Sequence, residues 1–146
     1  MSRVTDIVCQ RELFRVEVHD SVAVVAQKMT DLHVGAILVF KGEELRGVFS
    51  ERDLMKRVVA EGRDPVATRV GDVMNTDIVK VYDSDSVETA ASAMRSHHVR
   101  HAVIIDQAGS YLALLSERHL LYDVMNTLEA KVGDLTGYIM TDGPGG

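Results

Sequence analysis

Ser50-Glu51-Arg52-Asp53 and Ser116-Glu117-Arg118-His119 are one phrase written twice, with a single substitution at its end. The surroundings repeat as well. Val22, Ala26, Met29, His33 and Val34 recur as Val87, Ala91, Met94, His98 and Val99 at an offset of 65, and Leu54 recurs as Leu120 at 66. The turn Lys41-Gly42-Glu43-Glu44, set against Asp106-Gln107-Ala108-Gly109-Ser110, absorbs the extra residue. Upstream, Val4-x-Asp6-Ile7-Val8 matches Val70-x-Asp72-Val73-Met74, again 66 apart. Register held over nearly the whole chain marks an internal duplication.

Each copy carries the same string of elements. Val16-x-Val18 and Val79-x-Val81 alternate like short strands. Val22, Val25, Ala26 and Met29, and then Val87, Ala90, Ala91 and Met94, follow helical spacing. Asp85 with Glu88 predicts a capping box on the second of these helices. Val34–Phe40 and Val99–Ile105 read as buried strands, each joined by a Gly-containing turn to Leu45–Phe49 or Tyr111–Leu115. The Ser-Glu-Arg phrase then opens a second helix, which Glu61-Gly-Arg-Asp-Pro65 breaks in the first copy.

The expectation is an α/β (α+β) fold: two tandem β-α-β-β-α repeats over 1–64 and 65–127. A sheet with two helices on one face leaves its other face apolar, so the copies should pair sheet to sheet about a pseudo-twofold axis. Leu121, Val124, Leu128, Val132, Leu135 and Ile139 form a near-heptad stripe, extending the last helix over 128–140. That stripe packs either on its own subunit or on a second one. Residues 141–146 are expected to be a disordered tail.

Composition excludes some classes of function. The 46% hydrophobic and 26% charged content is that of a globular protein. Sixteen Lys and Arg against 22 Asp and Glu give a net charge of −6, which argues against nucleic acid as a partner. The apolar runs are too short to span a membrane. Met1 to Asp6 shows no signal-peptide core, and a lone Cys9 excludes an internal disulfide, so a cytoplasmic protein is expected. Cys9 itself reads as a small packing residue. His97, His98 and His101 lack a Cys or paired carboxylates beside them, and no metal is expected there. Neither a nucleophile–base constellation nor a Walker loop is visible in the sequence, so no enzyme is expected.

The duplicated openings, the hairpin in each copy and Gly47-Val48-Phe49-Ser50-Glu51-Arg52-Asp53 together resemble a cystathionine β-synthase (CBS) domain pair, or Bateman module. The resemblance covers residues 3 to about 126. It is closest to small bacterial proteins made of such a pair with a C-terminal helix. The resemblance implies a regulatory, non-catalytic module that holds AMP, ADP, ATP, NAD(H) or S-adenosyl compounds between its repeats, requires no cofactor, and associates as a homodimer through its helices. The downstream target is not legible.

The residues of the first phrase suit that role. The helix start at Ser50 offers N–H groups and a positive dipole end to a phosphate. Arg52 adds a charge-assisted bond, and Asp53 presents two acceptors to a ribose hydroxyl pair. By the resemblance, adenine would lie against backbone near Gly35, Ala36 and Ile37, with Thr76, Ile78 and Val79 as the far wall. A plainer reading makes Ser50-x-x-Asp53 only a helix cap on a ligand-free protein interaction scaffold.

In the second phrase His119 replaces the carboxylate, and Ala113-Leu114-Leu115 replaces Gly47-Val48-Phe49. Ser116 and Arg118 keep some anion-binding capacity. Arg100 and His101 stand where CBS repeats often carry phosphate-touching basic residues. Each phrase is expected to face its own cleft, the second walled by residues around Cys9 to Val16.

Overall fold

The computed structural model describes residues 3, 4 and 14–139, with side chains as far as Val132. Cys9, the Asp6-Ile7-Val8 part of the first opening, the Leu135 and Ile139 end of the stripe, and the 141–146 tail lie outside what is described. Ten elements follow in order: β1 (Arg15–Glu17), α1 (Val22–Leu32), β2 (Ala36–Lys41), β3 (Glu44–Ser50) and α2, which begins at Glu51–Asp53; then β4 (Lys80–Tyr82), α3 (Val87–His97), β5 (His101–Ile105), β6 (Tyr111–Ser116) and α4 (Glu117–Ile139). α2 continues as a π-helical stretch, Leu54–Val59, and a 3-10 turn, Val70–Asp72, precedes β4.

The strands form two sheets of order β1-β2-β3 and β4-β5-β6. In each, the first pair is parallel and the second an antiparallel hairpin, and both hairpins shift register at the same place, Val39/Phe40 and Ile104/Ile105. The parallel pair needs a crossover, and α1 or α3 supplies it. Ser21 caps α1 by accepting from the N–H of Val24, and Ser86 caps α3 by accepting from that of Thr89. This corrects the expected Asp85–Glu88 box: the Asp85 carboxylate instead closes the preceding turn, accepting from the N–H of Tyr82 at 2.8 Å. Both helices end on a left-handed histidine, His33 at φ 56° and His98 at φ 55°.

Strand alternation sorts the core into layers. Ile37 and Val39 of β2 turn toward Val22, Val25 and Met29 of α1 and Val58 of α2. Ala102 and Ile104 of β5 pack likewise against Val87, Ala90 and Met94 of α3 and Leu120 of α4. The intervening residues, Leu38, Phe40 and Val103, form a third cluster between the two sheets. The copies therefore pair sheet to sheet, as the apolar back faces require.

The openings of the two copies cross over. Val70 and Val73 are buried in the core of the first copy, and Val4 in that of the second. Equivalent backbone bonds hold them, Val70 N–H to Asp20 O at 2.8 Å and Val4 N–H to Asp85 O at 3.0 Å. Val4 and Val70 are fully enclosed, and each such valine contributes about 2 kcal/mol of hydrophobic stabilisation. Each copy is completed by the other's leading segment.

Candidate functional site

The two phrases lie at the ends of β3 and β6, where the chain turns into α2 and α4. In the first, Ser50 Oγ accepts from the N–H of Asp53 at 3.2 Å. Asp53 Oδ2 accepts in return from the N–H of Ser50 at 2.9 Å and from its hydroxyl at 3.0 Å. This is a complete capping box, and it fixes the Asp53 side chain, which is nearly buried. The other oxygen, Oδ1, faces Arg57 Nε at 3.6 Å, and Arg57 also donates to the carbonyl of Met74 at 2.8 Å. Arg57 escaped the sequence reading. Its position one helical turn after Asp53 was the available signal.

The second phrase repeats the box with an imidazole. His119 Nδ1 accepts from the N–H of Ser116 at 3.0 Å and contacts its hydroxyl at 3.0 Å, while Ser116 Oγ accepts from the N–H of His119 at 3.2 Å. A ring nitrogen that accepts carries no proton, so this cap uses the neutral tautomer protonated at Nε2. His101 stands opposite Ser116 in the sheet. Its pKa is lowered to about 4, chiefly by burial and then by His119, Arg100 and Arg118.

Both phrases line a cleft of about 1010 Å³. Gly35, Ala36, Ser50, Arg52, Asp53, Ile78 and Val79 line it from one side, and Arg100, His101, Ser116, Arg118 and His119 from the other. One expected residue is placed differently. Thr76 does not line the cleft, although Asn75 and Asp77 beside it do; the Ile37 side chain points into the helix-side core by strand alternation, which leaves its backbone as the part expected to face a ring. Phe14 lines the cleft, but most of the expected Cys9–Val16 wall lies outside the described residues.

Glycine matters at two points of the wall. A Cβ on Gly35 would lie 3.6 Å from the Glu51 carboxylate carbon, so Glu51 covers that strand end. Arg100 holds the equivalent place in the second copy and pairs with Glu117 at 3.9 Å. A Cβ on Gly47 would come within 2.7 Å of Met74 Sδ and 2.8 Å of Asn75 O. That close approach lets Val48 and Asn75 exchange backbone bonds at 2.8 and 2.9 Å, which pins the linker forming the far wall.

Charge is concentrated here. Arg52, Lys56, Arg57, Arg100 and Arg118 line the cleft against Glu51, Asp53, Asp77 and Glu117, along with four histidines, in a chain whose net charge is −6. Among the described residues no group of three His, Cys, Asp or Glu side chains is arranged to hold a metal ion. No described helix is long and apolar enough to cross a membrane.

The family model described as "CBS domain" matches twice, at residues 4–60 and 70–126. The chain belongs to the CBS-domain family. Pairs of CBS domains are regulatory modules, generally non-catalytic and often nucleotide-binding. Among solved structures, the chain is similar to a signal-transduction protein with CBS domains from Burkholderia ambifaria, at 28% identity and TM-score 0.80, covering 86% of this chain and 95% of that one. It is also similar to a CBS domain protein of Pyrobaculum aerophilum solved in complex with AMP, at 26% identity and TM-score 0.76, covering 90% and 99%. Among curated proteins, the mitochondrial CBS domain-containing protein CBSX3 of Arabidopsis thaliana is 29% identical over 82% of this chain and 60% of its own length. YhcV of Bacillus subtilis is 38% identical over 56% of this chain and 58% of its length. The chain thus spans about 60% of these two relatives.

Proposed function

We propose that the protein is a regulatory sensor that binds an adenine nucleotide or dinucleotide, AMP, ADP, ATP or NAD(H), in the cleft between its CBS repeats, without catalysis. The observation that carries this reading is Asp53. Its carboxylate is fixed at the cleft wall by Ser50, with Oδ2 consumed by the cap and Oδ1 at 3.6 Å from Arg57. A ribose hydroxyl has an oriented acceptor there, and Arg52 and the N-terminus of α2 offer charge to a phosphate. The AMP complex of the Pyrobaculum relative supports the ligand class.

Ligand in the cleft would bias how the two sheets sit against each other, and a homodimer would transmit that change to a protein target. Exposed apolar side chains support the dimer: Met55 and Val59 on α2, and Leu121, Met125, Leu128 and Val132 on α4.

The test is thermal stability with and without AMP, ATP and NADH, repeated on Asp53→Ala. A ligand at a hundredfold its dissociation constant adds about 2.7 kcal/mol to the native state. A shift that disappears in the variant is expected; no shift with any adenine compound sinks the reading. One observation favours the second reading, a ligand-free interaction scaffold: the Ser50–Asp53 box is complete with protein groups alone. The same melting series decides between them.

A further inference from the structure

Asp53 is pinned by one oxygen. Oδ2 accepts from both the N–H and the hydroxyl of Ser50, which leaves Oδ1 as the acceptor a ligand can reach. A carboxylate held at one oxygen can still tilt about it, so the direction of Oδ1 needs a second hold. Arg57, one turn later in the π-helical stretch of α2, supplies it from 3.6 Å. That separation is beyond hydrogen-bond length, so Nε attracts Oδ1 by charge without consuming its lone pairs. Short π-helical stretches are rare and occur frequently at functional sites.

The guanidinium is itself anchored. It donates to the Met74 carbonyl at 2.8 Å, and that peptide belongs to the linker. Asn75, the next residue, exchanges backbone bonds with Val48 of β3 at 2.8 and 2.9 Å, and Met74 packs where a Cβ on Gly47 would stand. Arg57 therefore joins the Asp53 carboxylate to the segment that leads into Ile78 and Val79. Its side chain is half-exposed, and an ion pair of that kind adds little to stability. The second copy carries a different pair at these positions: His119 stands in place of Asp53, and Asp123, again 66 residues on, in place of Arg57. Since α4 starts from the same kind of cap without an arginine there, the fold of the repeat does not require one.

We propose that Arg57 is a positioning residue that sets the cleft's preference for ribose over deoxyribose: it aims Asp53 Oδ1 at the sugar hydroxyls and ties that aim to the linker. The inference rests on the nucleotide reading above and names a determinant of its sugar specificity. A site built to bond a hydroxyl discriminates against an analogue that lacks it, and the discrimination fades as the acceptor loses its orientation. Coupling is reciprocal: where the linker's position sets Oδ1, a bound ribose holds the linker in turn.

The test is calorimetric titration of the full chain with AMP and with its dideoxy analogue, which carries the same adenine and phosphate but neither ribose hydroxyl. Wild type is expected to prefer AMP by about ten- to a hundredfold, the range of a hydrogen bond to a charged acceptor. Arg57→Met keeps an unbranched stem and should lose most of that preference, weakening AMP while leaving the affinity for the analogue in place. Arg57→Lys, which keeps the charge but not the fork, should restore part of it. Melting checks the fold; should Arg57→Met unfold, Arg57→Gln is titrated in its place, with the same loss expected. Equal weakening of both ligands, or weakening of neither, overturns the inference and leaves nucleotide binding intact. A wild type that binds both ligands alike does the same. Absence of AMP binding by wild type overturns this inference together with the AMP reading beneath it.

Discussion

Ser116 donates its backbone N–H to Nδ1 of His119 at 3.0 Å, in the position where Ser50 donates to Oδ2 of Asp53 at 2.9 Å. An imidazole can fill that place only while Nδ1 is bare, whereas a carboxylate also answers the helix dipole with charge. His119→Asp is expected to stabilise the protein by about 0.5–1 kcal/mol at neutral pH. Urea denaturation midpoints of the variant and wild type at neutral pH check it.

His101 titrates near 4 in the folded chain and near 6.5 in the unfolded one. Between those values the unfolded chain binds more protons. Stability should therefore be unaffected by this group above about 6.5, fall as pH drops through the window, and level off below about 4. The full loss is on the order of 3 kcal/mol. His101→Gln is expected to flatten that limb, as read from denaturation midpoints across the window.

The fold was legible because the duplication leaves two independent readings of every element. The continuous apolar runs around Leu38 and Val103 and the stripes of α1 and α3 each carry a signal that the other copy repeats. What stayed hidden depends on contacts distant in sequence. Nothing local says that Val70 belongs in the first copy's core. The site was half legible: Ser50 and Asp53 could be read from cap chemistry and family resemblance. Arg57 was missed because an i, i+4 ion pair matters only once Asp53 is known to be enclosed.

Gly47 allows the linker to touch β3. With a Cβ placed 2.7 Å from Met74 Sδ and 2.8 Å from the Asn75 carbonyl, Gly47→Ala must push a backbone oxygen aside. The expected loss is about 1–3 kcal/mol in chemical denaturation. Weaker binding of any cleft ligand should accompany it, since the displaced segment leads into Ile78 and Val79.

The exposed apolar residues of α2 and α4 predict self-association. Val59 is 66% exposed and Leu128 54%. Sedimentation of wild type should give a dimer at micromolar concentration. Val59→Glu/Leu128→Glu should sediment as a monomer with its melting curve nearly retained, because neither side chain is part of the subunit core. A wild-type monomer at high concentration would remove the dimer from the proposal.

The crossed openings bear on ancestry. A single repeat would carry a leading segment that fits another copy's core and not its own, as Val70 fits beside Val22 and Val4 beside Val87. Such a unit closes only by trading arms with a twin. A single repeat built this way would have to be an arm-exchanged pair, and joining two of them in one chain turns a concentration-dependent partnership into a permanent one. Once tethered, the twins were released from identity. Asp53 and His119, held by the same hydrogen bonds at symmetric positions, are what that freedom produced.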